Sequence, residues 1–128
     1  MSTAEGASGK IPRAIQPLKT QNQITMSNKA FVYTELQISL PFDQAPWREL
    51  NIQLLKQPGL RNKTWLAGVK NLSLGGFYEF DSIENAKRFV TGYFPTETAG
   101  LNVAYTTRIF DASPVKEASL QMHSPFFG

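Results

Sequence analysis

Cysteine is absent from the 128 residues. Disulfides, thiolate nucleophiles and cysteine-bound metals are therefore excluded. Histidine occurs once, as His123 near the C-terminal end of the sequence. A Ser-His-Asp triad or a histidine-rich metal centre needs convergent partners that one tail imidazole lacks. A solvent-facing histidine is the better reading, and no metal site is expected. No apolar run approaches the ~20 residues of a bilayer-spanning helix. No basic segment followed by an apolar core opens the chain, so the expected location is the cytoplasm, without a membrane partner. The double glycine at Gly75-Gly76 is not followed by Gly-Lys-Ser/Thr. It also precedes a strand, whereas a phosphate loop follows one. No nucleotide, flavin or other cofactor is expected.

Charge of one sign is scarce where it would matter. The formal net charge is +3, but residues 1 to 29 hold four basic residues (Lys10, Arg13, Lys19, Lys29) against Glu5. The remaining chain balances nine basic against nine acidic residues. A domain without excess positive charge has no electrostatic footprint for a nucleic-acid backbone, so no nucleic-acid partner is expected.

What is present is a single domain between two tails. Residues 1-28 are rich in Ser, Thr, Gly, Gln and Pro without an apolar period, and are expected to form a flexible basic arm. The domain is expected over 29-115, with a C-terminal tail over 116-128. Phe31 to Leu40 alternates as a strand, with Val32, Thr34, Leu36 and Ile38 on one face and Phe31, Tyr33, Glu35 and Gln37 on the other. Asp43 is a plausible N-cap for a helix carrying Trp47, Leu50 and Leu54 at helical spacing, and Pro58-Gly59 ends it. A second strand is expected from Leu60 to Val69, with Lys63 and Trp65 sharing a face. The third strand runs from Gly75 to Phe80, and either Phe77/Glu79 or Tyr78/Phe80 faces inward. Asp81 and Glu84 form a capping-box-like pair for a second helix with Ile83, Ala86, Phe89 and Val90 on its apolar face, fraying by Tyr93-Phe94-Pro95. Leu101 to Phe110 is the last strand.

The order β-α-β-β-α-β is that of a ferredoxin-like α+β domain, a four-stranded antiparallel sheet with both helices on one face. The expected core joins Val32, Leu36, Ile38, Leu66 and Val103 to Trp47, Leu50, Leu54, Ile83 and Phe89. The other sheet face then carries Tyr33, Glu35, Gln37, Lys63, Trp65 and Arg108. Such a mixture of aromatic and polar groups suits pairing with a second copy around a small-molecule cavity.

Pro58-Gly59-Leu60, Lys63-x-Trp65, Gly75-Gly76-x-Tyr78-x-Phe80, Ala86 and Phe110-Asp111 together resemble the YdhR-type monooxygenase family of the dimeric α+β-barrel superfamily. The resemblance spans roughly residues 31 to 115. It implies a homodimer with facing sheets and a cofactor-independent monooxygenase acting on an aromatic or polyketide-like small molecule. The chain departs from the family in a shorter first helix and preceding loop, and in longer tails. A cofactor-free isomerase or cyclase in the same pocket, and a non-catalytic small-molecule-binding module, are the alternatives.

Within that frame Glu35 is the candidate catalytic base, because a carboxylate in a partly dry cavity is pushed toward a useful pKa. The competing reading is an ion pair with Lys63 or Arg108. Arg108 is the candidate for stabilising an oxyanion, a role open to Lys63 as well. Tyr33, Gln37, Lys63, Trp65 and Tyr78 are the candidate substrate-binding residues, Tyr33 and Trp65 as stacking surfaces for a planar molecule or as filling for a subunit interface.

Overall fold

The computed structural model describes residues 28–38 and 40–127. The expected arm over 1-28 lies almost entirely outside the described residues. Strand β1 (Ala30–Leu36) is followed by a 3-10 turn (Phe42–Gln44), helix α1 (Trp47–Leu54), β2 (Leu60–Ala67) and β3 (Leu74–Phe80). Helix α2 (Ile83–Arg88) continues through a π-helical turn (Phe89–Tyr93) into α3 (Phe94–Ala99), and β4 (Tyr105–Asp111) and α4 (Lys116–Gln121) follow. The sheet is antiparallel with strand order β2-β3-β1-β4. This is the ferredoxin-like α+β arrangement expected from the element order.

The helices cover the face formed by Ala30, Val32, Thr34, Tyr78 and Phe80, all buried. Phe89 is the hub of this core, with ring centroids 5.0 Å from Tyr78, 5.2 Å from Phe80, 5.7 Å from Tyr93 and 5.8 Å from Phe94. Tyr78 and Phe80 thus point inward, which settles the two-way reading of β3. Its other face carries Glu79, whose carboxylate pairs with Lys29 at 2.8 Å and Arg61 at 3.9 Å and accepts from Asn62 at 2.5 Å. Burial alone would raise the Glu79 pKa, but the hydrogen bonds from Lys29 and Asn62 and their charge environment bring it below the ordinary value.

Three local expectations need correction. Ser82 caps α2, its hydroxyl accepting from the Asn85 N–H at 3.1 Å, while Asp81 accepts from the Asn85 side chain at 2.8 Å. Asp43 lies in the 3-10 turn, and α1 starts at Trp47 behind Pro46 without a side-chain cap. The second helix does not fray at Tyr93-Phe94-Pro95. Pro95 has no N–H to give the i−4 carbonyl, and the helix absorbs that gap through the π turn, where the Phe94 N–H reaches the Phe89 carbonyl. The helical path then runs on to Ala99, with Thr98 Oγ1 donating to the Phe94 carbonyl at 2.9 Å.

The largest correction concerns β2. The register is Leu60 opposite Phe80, then Asn62 opposite Glu79 and Lys63 opposite Tyr78, with a bulge at Arg61. A bulge inserts one residue and reverses the phase of everything after it. Leu60 and the pair Lys63/Trp65 therefore share the helix-covered face. Leu66, expected in the core, lies on the opposite face and is 37% exposed. Lys63 and Trp65, expected on the uncovered face, are half-buried on the helix-covered one.

On that other face the last residues fold back over the sheet. Phe126 and Phe127 pack edge-on against Phe31, with centroids 5.7 and 5.8 Å away, and Phe31 stacks on Phe77 at 5.1 Å. The Lys29 amine donates to the Phe126 carbonyl and sits 4.7 Å from the Phe127 ring centroid.

Candidate functional site

A pocket of about 100 Å³ opens between the sheet and the helices. Its floor is Thr34 on β1, Lys63 and Trp65 on β2 and Tyr78 on β3; its roof is Leu50 and Leu54 on α1, Tyr93 in the π turn and Phe94 and Thr98 on α3. A second hollow beside Asn51, Leu55 and Leu60 also borders Lys63 and Trp65. Leu54, Lys63 and Trp65 line both.

Each polar group has a defined setting. The Lys63 amine lies 3.1 Å from the centroid of the Trp65 ring and 4.9 Å from that of Tyr78. Burial pushes its pKa down to about 7, because a dry pocket penalises the ammonium. Trp65 Nε1 donates to Asn51 Oδ1 at 3.0 Å, which fixes the indole plane, and Phe42 meets that indole edge-on at 5.4 Å. Thr34 Oγ1 donates to Tyr78 Oη at 3.2 Å. Burial pushes Tyr78 up to about 12, so it stays a neutral phenol. Tyr93 Oη is buried with no hydrogen-bond partner among the described residues, and burial, then the nearby Glu97, raises its pKa.

The double glycine has a packing reason. A Cβ on Gly75 would stand 2.0 Å from the Thr34 carbonyl oxygen, so β1 and β3 approach too closely for a side chain there. A Cβ on Gly76 would fall 2.5 Å from Lys63 Cε and 3.1 Å from the Tyr78 ring. Gly76 leaves the space that the lysine stem fills.

The remaining candidates lie on the opposite side of the sheet. Glu35 accepts from Tyr33 Oη at 2.6 Å and Gln37 Nε2 at 3.1 Å. That bond to Glu35 is the main cause of the raised Tyr33 pKa, ahead of burial. The two residues border a shallow polar groove with Asn71 and Ser73. Arg108 stands opposite Tyr33 in register and is exposed. The competing ion pair between Glu35 and Lys63 does not form, since the sheet separates them. Of the sequence candidates, the structure brings together Lys63, Trp65 and Tyr78, and separately Tyr33, Glu35, Gln37 and Arg108. Thr34, Asn51 and Tyr93 escaped the sequence reading as site residues. Tyr93 in particular lay in what reads as a fraying helix end. His123 is exposed, as expected.

No protein-family model matches the chain, and no curated protein shows significant sequence similarity to it. Its backbone is similar to that of SnoaB, a cofactor-independent oxygenase from Streptomyces nogalater. The TM-score is 0.50 at 19% identity, over 67% of this chain and 93% of that one. Weaker likenesses are to a candidate monooxygenase from Shewanella loihica PV-4 (TM-score 0.47, 8% identity, 64% and 90% of the two chains) and to a protein of unknown function from Nitrosomonas europaea (0.45, 12%, 67% and 90%). At such identities the likeness is one of fold: the chain shares the α+β architecture of SnoaB.

Proposed function

We propose that this chain is a small cofactor-independent oxygenase of the YdhR type, acting on an electron-rich hydroxyaromatic or polyketide-like molecule bound in the pocket between sheet and helices. The observation that carries this reading is the Lys63 amine, held in an apolar pocket against Trp65. A base poised near neutrality is the usual requirement for proton transfer at working pH. The fold shared with SnoaB, described as a cofactor-independent oxygenase, supports it.

The chemistry follows from the groups present. Lys63 takes the hydroxyl proton of the substrate and becomes the ammonium that holds the resulting phenolate. The phenolate gives one electron to dioxygen. The radical pair joins at a ring carbon that carries a hydrogen, the peroxide takes the proton back from the Lys63 ammonium, and the hydroperoxide loses water together with that C–H hydrogen to leave a carbonyl. One oxygen atom enters the product and the other leaves as water. Trp65 supplies a flat surface beside the amine, and the Tyr93 hydroxyl supplies a hydrogen-bond partner. Glu35 and Arg108, on the far face, belong in this proposal to a subunit interface formed by two copies.

A buried base serves an isomerase equally well, and oxygen uptake separates the two. Hydroxyarenes from catechol to 1,8-dihydroxyanthrone should be tested for oxygen consumption above autoxidation. Lys63→Met should lower turnover by about a hundredfold or more, the scale for a positioned base. Glu35→Gln should leave it within a few-fold. A greater loss in Glu35→Gln than in Lys63→Met would move the chemistry back to the other face. No uptake with any of them would reject oxygenation.

A further inference from the structure

We propose that the Lys63 amine is also a nucleophile, and that the pocket captures aldehydes or activated ketones on a flat aromatic body as a covalent imine. The inference rests on reading this pocket as a substrate site. The step is balanced without any oxidant. The amine nitrogen adds to the carbonyl carbon, the carbonyl oxygen takes a proton to give the carbinolamine, and loss of water leaves the carbon–nitrogen double bond.

Three features of the pocket favour this step. First, the amine has little to keep it protonated. Among the described residues the ion pairs gather at Glu79 on the opposite face, and Glu97 on α3 is the one carboxylate lining the pocket, itself exposed. Desolvation with no close counter-charge is a recognised way to activate a lysine for imine formation. Second, dehydrating a carbinolamine needs a proton donor. Tyr78 stays a neutral phenol, and the unpartnered Tyr93 hydroxyl is a second donor in the same pocket. Third, the walls match the product. The Trp65 ring lies directly against the amine, so an aryl group conjugated to the new double bond would lie along the indole.

The test uses the full chain, 2-naphthaldehyde and cyanoborohydride, with peptide mass spectrometry to locate the trapped amine. Near neutral pH, Lys63 should label at least about tenfold faster than the exposed Lys56, Lys70, Lys87 and Lys116. Labelling at Lys63 should level off just above neutral pH. Facing the amine are Tyr78 from β3, Tyr93 from the π turn, Glu97 from α3 and uncharged Asn51 from α1. The two phenols stay neutral over that range, so the levelling reports the amine itself. Excess 2-naphthol, which has the same body but no carbonyl, should suppress the Lys63 label. Its binding is measured independently by calorimetry. If naphthol binds and the label spreads evenly over all lysines, covalent capture is wrong and the pocket reading stands. If naphthol does not bind and Lys63 is not favoured, both fall.

Discussion

A lysine amine in an apolar pocket costs the fold stability, and that cost has a sign that can be measured. In the unfolded chain Lys63 holds its proton up to the ordinary range near 10.5, whereas in the folded chain it releases it at about 7. Between those values the unfolded state binds more protons, so stability rises with pH through that window, and the full penalty applies below it. Tyr78 acts oppositely at higher pH. It ionises near 12 folded and near 10.0 unfolded, so stability falls as pH climbs between them. Lys63→Met should therefore melt at a higher temperature than the parent at neutral pH, by the equivalent of a few kcal/mol at most. It should also lose the rise of melting temperature between pH 7 and 10.5. Unchanged melting curves across that range would mean the amine is well solvated. Gly76→Ala tests the same amine from behind. The new methyl displaces the end of a flexible side chain, so the fold should survive, and the selective reactivity of Lys63 should vanish. A Gly76→Ala protein in which Lys63 still labels first would show that the glycine does not position it.

At the scale of elements, the regular alternations were readable and the irregularities were not. Both faces of β1, the stop at Pro58-Gly59 and the order of strands and helices follow from period and turn chemistry alone. The bulge at Arg61 and the π turn before Pro95 have no comparable sequence signature, and both lie at the pocket. Alternation counted from the apolar Leu60 assigns Leu66 inward and Trp65 outward, and one extra residue reverses that. So Lys63, Trp65 and Tyr78 were legible as candidates by residue type, while the face on which they work was not: alternation puts Lys63 and Trp65 outward and leaves Tyr78 open. Tyr93 was hidden because Pro95 reads as a helix end. The bulge also makes an unusual pair of deletions informative. Removing Arg61 restores regular alternation from Leu60 with Lys63 and Trp65 still inward, so the indole should keep a buried emission spectrum. Removing Thr64 keeps Lys63 inward but turns Trp65 toward the other face, and its emission should shift to the red. Equal red shifts in both proteins would contradict the register. Trp47→Phe should be used as the background, so that Trp65 is the sole reporter.

For the whole molecule, the asymmetry of the sheet is the main fact. One face lies under helices. The other carries Phe126 and Phe127 against Phe31, and leaves Phe110, opposite Phe31 on the edge strand β4, at 47% exposure beside Arg108, and Leu66 on the other edge strand at 37%. Aromatic and aliphatic groups sharing a face with an arginine have the composition of a pairing surface. We expect two copies to join through this face, and light scattering at micromolar concentration should give twice the chain mass. Phe110→Asp should give the single mass while leaving the pocket intact. A parent protein that is already monomeric at that concentration ends the proposal. The closed part of the face has a consequence in time as well as in space. Phe31 and the residues that shield it come from opposite ends of the domain; Lys29 and the Phe126 carbonyl it contacts are 97 positions apart. During synthesis β1 therefore emerges long before its cover, and it waits first for β3 and then for β4 to pair on either side. Through that interval the Phe31 and Phe77 rings stay wet and adhesive. The side of the sheet away from the pocket is thus the last to be closed as the chain is made.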